Sequence, residues 1–173
     1  MKHSLLRQFL RGSVFSLIMA SPCSFGESMS YAATVNLTVA EHALELTFPD
    51  ENGMTSQETI PIFQAGPAKY FSAGVGVEER AAHYPPFPLK LVFVAGPRAY
   101  LSEVSVAITN FAGHVQLQVP QERVTGPWLF VDLPPGTYEI SAVGPGRALL
   151  KERVVISANQ VKTVYLRWQE EKV

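Results

Sequence analysis

The residues most able to do chemistry are three histidines, an acid pair and scattered lysines. His42, His83 and His114 could ligate a metal or move a proton, but none has a second His or Cys at ligand spacing. Each therefore reads as a solvated loop or turn histidine, unless strands distant in sequence bring them to one point. Glu78-Glu79 is a close acid pair in the body of the chain, and adjacent residues on a helix do not face each other. Asp50-Glu51-Asn52-Gly53 supplies oxygens and a glycine without the alternate-position spacing of a calcium loop, which makes it a turn. Gly74-Val75-Gly76 lacks the third glycine of a dinucleotide fingerprint, and no Gly-x-Ser-x-Gly elbow or phosphate loop occurs. The sequence thus predicts no catalytic residues, no metal site and no cofactor.

Aromatic residues offer a second kind of chemistry, the stacking of a ligand. Trp128 and Trp168 would make a sugar platform if both were exposed, or core if the strands that carry them turn inward. Tyr70, Phe71, Tyr84, Phe87 and Tyr100 lie in turn-rich sequence, where binding surfaces are often built, and are the better candidates for an exposed patch. The alternative is a loop packed over one end of the domain.

The elements that must position these residues begin with an address. Lys2, Arg7 and Arg11 precede an apolar stretch (Val14, Phe15, Leu17, Ile18, Met19, Ala20), and small residues follow up to Ala32-Ala33. A positive start, a short apolar run and a small-x-Ala site predict a signal peptide over residues 1–32, cleaved near Ala32. The apolar run is shorter than the ~20 residues needed to span a bilayer. Cys23, the one cysteine, would be lipidated in a bacterial lipoprotein, but the residue before it is Pro22 rather than a small residue. Cleavage removes Lys2, Arg7, Arg11 and Glu27 from totals of 14 basic and 15 acidic residues, leaving 11 and 14, a net charge of −3. That balance argues against nucleic acid as a partner. The expected location is periplasmic or secreted, with no membrane contact after cleavage.

Hydrophobic residues make up 47% of the chain and charged residues 17%, enough for a core. The 13 prolines and 12 glycines favour short strands over long helices. Residues 33–88 read as an N-terminal extension. In it, Val35, Leu37, Val39 and then Leu44, Leu46, Phe48 alternate as two short strands or one bent near Glu41-His42. Ile60-Pro61-Ile62-Phe63 reads as an edge strand or extended loop, 64–88 as irregular, and Val77 to His83 as a turn or two of helix. From Leu89 the alternation is cleaner. Seven strands follow, around Leu89–Phe93, Val104–Ile108, Val115–Val119, Trp128–Val131, Tyr138–Ala142, Leu149–Ile156 and Val161–Trp168. Turn signals such as Asn110-Phe111-Ala112-Gly113 separate them. The expected fold is all-β, a Greek-key sandwich of about seven strands over residues 89–168, with 169–173 as a solvated tail.

Leu133-Pro134-Pro135-Gly136-Thr137-Tyr138 is the most specific string. Pro135-Gly136 suits a tight turn feeding a strand, and Tyr138 can bury its ring while bonding loop backbone, as in the tyrosine corner of Greek-key sandwiches. The string, with Val104-Ser105-Val106-Ala107-Ile108, Gly113, Trp128-Leu129-Phe130, Arg153-Val154-Val155-Ile156 and Val161 to Leu166, resembles carboxypeptidase regulatory-like domains. These have a transthyretin-like (prealbumin-type) sandwich and are related to collagen-adhesin B-type repeats. The resemblance covers roughly Lys90 to Trp168. The run Ser72 to Ala81 is similar to small exported proteobacterial proteins with one such domain. Transthyretin-like hydroxyisourate hydrolases end in Tyr-Arg-Gly-Ser, whereas Leu166-Arg167-Trp168-Gln169 stands here, so that activity is not implied. In metallocarboxypeptidases the domain accompanies a separate zinc domain, for which these 173 residues leave no room. The isopeptide cross-link of some adhesin repeats needs a lysine, an Asn or Asp and a buried acid; Lys90, Lys162, Asn110 and Glu139 exist, but the sequence does not pair them, and Lys90 and Lys162 are explained as outward-facing polar positions. The expectation is a non-catalytic binding or structural module of the bacterial envelope. Its expected partner is an envelope protein, met through a sheet edge or the 64–88 region. The alternatives are a metal- or carbohydrate-binding periplasmic protein, or an enzyme whose site assembles in space.

Overall fold

Strand alternation decides which face of each strand is wet, and in this chain it builds three layers of sheet. The structure, a computed structural model, describes residues 35–50, 52–97 and 99–169. The expected leader with Cys23 and its cleavage point, and residues 170–173, lie outside the described residues.

The first layer is an antiparallel meander of β1 (Asn36–Val39), β2 (Ala43–Pro49) and β3 (Thr55–Pro61). The two-strand reading of its start therefore holds, with the break at Glu41-His42. The Asp50 carboxylate accepts the backbone N–H groups of Asn52 at 2.9 Å and Met54 at 2.8 Å, which shapes the β2–β3 turn. The sequence gives no sign of Thr55 to Thr59 as a strand, because Thr-Ser-Gln-Glu-Thr has no apolar alternation. It is a strand because its partner is: Leu46 lies opposite Glu58 and Phe48 opposite Ser56.

The middle sheet runs β13 (Lys162–Trp168), β6 (Leu89–Ala95), β10 (Trp128–Asp132), β5 (Ala68–Ala73), β4 (Phe63–Ala65), with the two-residue β7 (Ala99–Tyr100) paired to β6. The outer sheet runs β12 (Leu150–Ile156), β11 (Gly136–Val143), β8 (Ser105–Asn110), β9 (Val115–Val119). The chain crosses between these two sheets after β7, β9, β10 and β12, and the result is an all-β sandwich. All seven strands expected beyond residue 88 are present. One segment differs. Residues 63–73, expected as part of an irregular extension, form β4 and β5 of the sandwich's own middle sheet, so the sandwich begins at Phe63 and not at Leu89. Burial on both faces hides β5: beyond Lys69 every residue is buried, and Tyr70 joins one core and Phe71 the other, so no alternation marks an outward face. The short helix α1 (Val77–Ala81) stands within the stretch expected to be helical.

Two cores follow from this layering. Leu89, Leu91, Phe93, Val106, Ile108, Leu129, Val131 and Ile140 fill the space between the middle and outer sheets. Leu44, Leu46 and Ile60 of the meander pack on Phe71, Ala73 and Phe130 on the opposite face of the middle sheet. Leu129 and Phe130 thus point to different cores from adjacent positions, as strand geometry requires.

Gly136 enters β11 in extended conformation, and not as the positive-φ corner its Pro-Gly context suggests. Its role is room. A Cβ there would lie 3.3 Å from Tyr138 Oη and Cε2. The ring of Tyr138 lies back over the turn, and its hydroxyl donates to the Pro134 carbonyl at 2.8 Å. Burial raises the Tyr138 pKa, which keeps that donor protonated.

Candidate functional site

The densest group of ionisable and aromatic side chains lies between the meander and the middle sheet. Phe130 stacks on Phe71 with ring centroids 4.5 Å apart, Phe87 meets Phe71 edge-on at 5.0 Å, and Tyr84 lies 5.0 Å from Phe130. Trp128 borders this group, edge-on to Phe130 at 6.4 Å and to Tyr84 at 6.5 Å. The Lys90 ammonium sits 3.5 Å from the Trp128 ring centroid and 5.1 Å from that of Phe130. That is a cation–π arrangement. Partial burial of Lys90 lowers its pKa.

At the other border stands an acid pair that the sequence did not single out. Glu79 of α1 is 5% exposed, and its carboxylate accepts the backbone N–H of Gly74 and, at 3.1 Å, that of Val75. Glu58 of β3 is hydrogen-bonded to Glu79. Desolvation, that hydrogen bond and the negative charge of Glu79 and Glu78 together raise the Glu58 pKa. The Tyr84 hydroxyl donates to the Glu79 carbonyl at 2.8 Å, and burial, with the nearby charges of Glu79 and Glu58, pushes its own pKa up. Adjacent glutamates do point apart, as expected, but the pairing runs from Glu79 to Glu58 across 21 positions. Its only trace in the sequence is an acid inside the Thr-Ser-Gln-Glu-Thr strand.

Chemically, this arrangement sets two carboxyls side by side, with the pKa of Glu58 raised, and one ammonium on an aromatic face. Each group also ties structure together: Glu79 closes the loop after β5, Glu58 joins the meander to the helix, and Lys90 covers Trp128. Among the described residues every buried side-chain nitrogen and oxygen has a hydrogen-bond partner.

The aromatics that were candidates for an exposed patch, or else for a loop packed over one end of the domain, are divided by the fold. Tyr70 and Phe71 are buried on opposite faces of β5, Tyr84 and Phe87 are half-buried, and of the five only Tyr100 is exposed. Packing, rather than an exposed patch, is the outcome for four of them, because the turn-rich segment threads into the middle sheet. Trp128 and Trp168 face opposite sides of that sheet, so they form no shared platform. Trp168 is buried, and its indole N–H donates to the Ala148 carbonyl at 2.7 Å.

His42, His83 and His114 are all exposed and lie on separate segments. Among the described residues no three His, Cys, Asp or Glu side chains converge as metal ligands would. Lys90 and Glu139 lie on the outward faces of the two sandwich sheets with the core between them. Glu139 pairs instead with Lys151 at 2.8 Å, which lowers its pKa, and the Asn110 side chain accepts the His114 backbone N–H at 2.9 Å. A groove of about 690 Å³ crosses the outward face of the outer sheet over Ser105, Ala107 and Ser141, between Gln121 and Leu149. Glu122 is the one ionisable residue lining it.

No family model matches the sequence, and no curated protein is detectably similar to it. Among solved structures, the major pilin subunit of Bacillus cereus, BcpA, is similar with a TM-score of 0.33 and 13% identity. The match covers 79% of this chain and 38% of the pilin chain, so the chain spans well under half of that subunit's length. Among the described residues no helix is long and apolar enough to cross a membrane.

Proposed function

We propose that this chain is an exported, non-catalytic β-sandwich module of the bacterial envelope that works by binding or as a structural part. One observation carries the reading: the groups best suited to chemistry, Glu58, Glu79, Tyr84 and Lys90, are engaged in fastening the meander and helix to the middle sheet. The surface they leave is made of strand edges and sheet faces, which bind by backbone hydrogen bonds and shape. The resemblance to carboxypeptidase regulatory-like domains is supported by the Tyr138 hydroxyl on the Pro134 carbonyl and by the run of strands from β6 to β13 around it, seven of them besides the two-residue β7. Of the two partner surfaces, the sheet edge is favoured. The 64–88 region spends Ala68, Tyr70, Phe71 and Ala73 inside the cores.

Export is tested by expressing the chain with its own leader in a Gram-negative host, separating the periplasm and sequencing the N-terminus. The expected product is periplasmic and begins at Ala33. A full-length chain confined to the cytoplasm overturns the reading, as does turnover of an envelope polymer that a single point change abolishes.

A further inference from the structure

The edges of the three sheets are unequal. β1 has four residues and β4 three, β3 ends on Pro61, and β12 carries Lys151, Glu152 and Arg153 in succession. β9 is irregular against β8 and is closed by Pro120. Short length, proline, charge and bulges are the devices that keep an edge from pairing. β13 has few of them. It follows β6 in unbroken register from Lys162 opposite Leu89 to Trp168 opposite Ala95, with no proline and with charge only at Lys162 and Arg167. Among the described residues no strand pairs with its other side.

We propose that the β13 edge binds the β13 edge of a second copy of this chain, antiparallel about a two-fold axis through Tyr165. This rests on the reading of the chain as a module that binds through a sheet edge. The sequence of β13 selects both partner and register. An antiparallel pairing that keeps core-facing residues on one side must match odd positions with odd and even with even. Centring on Tyr165 is the register of this kind that pairs all seven residues. It sets Val164 against Leu166, Thr163 against Arg167, Lys162 against Trp168, and Tyr165 against itself. Neither cation then meets another, so two identical edges join without like-charge contact. On the core side, Val164, at 9% the most exposed of the buried apolar residues, gains Leu166 of the second copy as a neighbour. On the outward side, Tyr165, 63% exposed alone, gains a second tyrosine ring. The interface is a single strand pair, small for a stable complex, so association is expected at micromolar concentrations.

The test is a charge swap at the axis, read by light scattering or sedimentation of the exported protein. The wild type is expected to dimerise as its concentration rises to on the order of 100 μM. Tyr165→Lys and Tyr165→Glu chains are each expected to be monomeric, and their mixture is expected to recover dimer. Because Tyr165 is exposed, both should keep the wild-type circular dichroism and unfolding midpoint. Geometry is tested separately in a Cys23→Ser background, where Tyr165→Cys should oxidise to a covalent dimer, and Thr163→Cys, which would face Arg167, should not. A wild type that stays monomeric, a dimer indifferent to both charges, or equal cross-linking at both positions overturns the pairing. Export and the N-terminus at Ala33 are read independently of these outcomes, so failure of the pairing is distinguishable from failure of the functional reading.

Discussion

The Glu58 carboxyl on β3 lies beside the Glu79 carboxyl on α1. Desolvation, a hydrogen bond between the two and their like charge raise the Glu58 pKa, so a proton on Glu58 ties the meander to the helix. A pKa raised in the folded state means that the fold holds this proton more tightly than the unfolded chain does. The contribution is complete below the ordinary glutamate value of 4.5 and is lost as pH rises through the raised folded value. The unfolding midpoint of the wild type, relative to that of Glu58→Gln, should therefore fall as pH is raised from about 4 to about 7. Glu58 is half-buried, and the part of it that meets solvent screens the charges and keeps the effect to about 1 kcal/mol. Parallel midpoint curves for the two proteins would refute this role of the proton.

Replacing Glu79 is expected to cost more. Glu79→Ala leaves the buried Gly74 N–H and the part-buried Val75 N–H without their acceptor, a loss of about 2–3 kcal/mol. Urea unfolding measures it. Hydrogen exchange at those two amides should accelerate well before global unfolding, and amides that stay protected would show that another acceptor serves them.

The turn before β11 separates a hydrogen bond from a steric requirement. Tyr138→Phe removes the bond to the Pro134 carbonyl, which stands at an exposed residue that water can reach, and should cost about 0.5–1.5 kcal/mol. Gly136→Ala pushes a methyl against the Tyr138 ring and should cost about 1–3 kcal/mol. In the Gly136→Ala background, Tyr138→Phe should cost less than it does alone, because the displaced ring no longer makes the bond. Additive costs would argue against the coupling.

The two tryptophans should report separately. Trp168 is buried in the sandwich core and Trp128 is half-buried beneath Lys90. Fluorescence quenching by acrylamide is expected to resolve an accessible and an inaccessible population, and Trp128→Phe should remove the accessible one. Lys90→Met, which takes the ammonium off the indole, should alter Trp128 emission while leaving Trp168 unchanged. Quenching of Trp168 in the native protein would contradict its place in the core.

Wherever a strand has one wet face, its place was legible beforehand. Val106 and Ile108 on β8, Leu117 and Val119 on β9, and Tyr138, Ile140 and Ala142 on β11 alternate with polar residues, and all seven are buried. The hairpin at Asn110 to Gly113 was equally plain, since Gly113 supplies φ 81° and the Asn110 side chain accepts the His114 N–H. These are local consequences of residue type, and composition adds that the core can be large enough to hold the strands together. The middle sheet was harder to read. Its strands β5, β10 and part of β6 are apolar on both sides, so periodicity could not say that the meander lies across them.

The candidate site was less legible than the fold, because its groups meet only after long excursions of the chain. Lys90 reaches Trp128 through strand neighbours, and Glu58 reaches Glu79 through the docking of one sheet on another. The sequence alone showed that His42, His83 and His114 have no second His or Cys at ligand spacing and that Tyr138 can seek loop backbone. Tertiary structure decided which acids lie side by side, that Tyr70 and Phe71 serve two different cores, and which strand edge stays open. The reason is physical: a side chain's face follows from its own strand's pleat, whereas burial, pKa and an unpaired edge depend on which surface is laid against it.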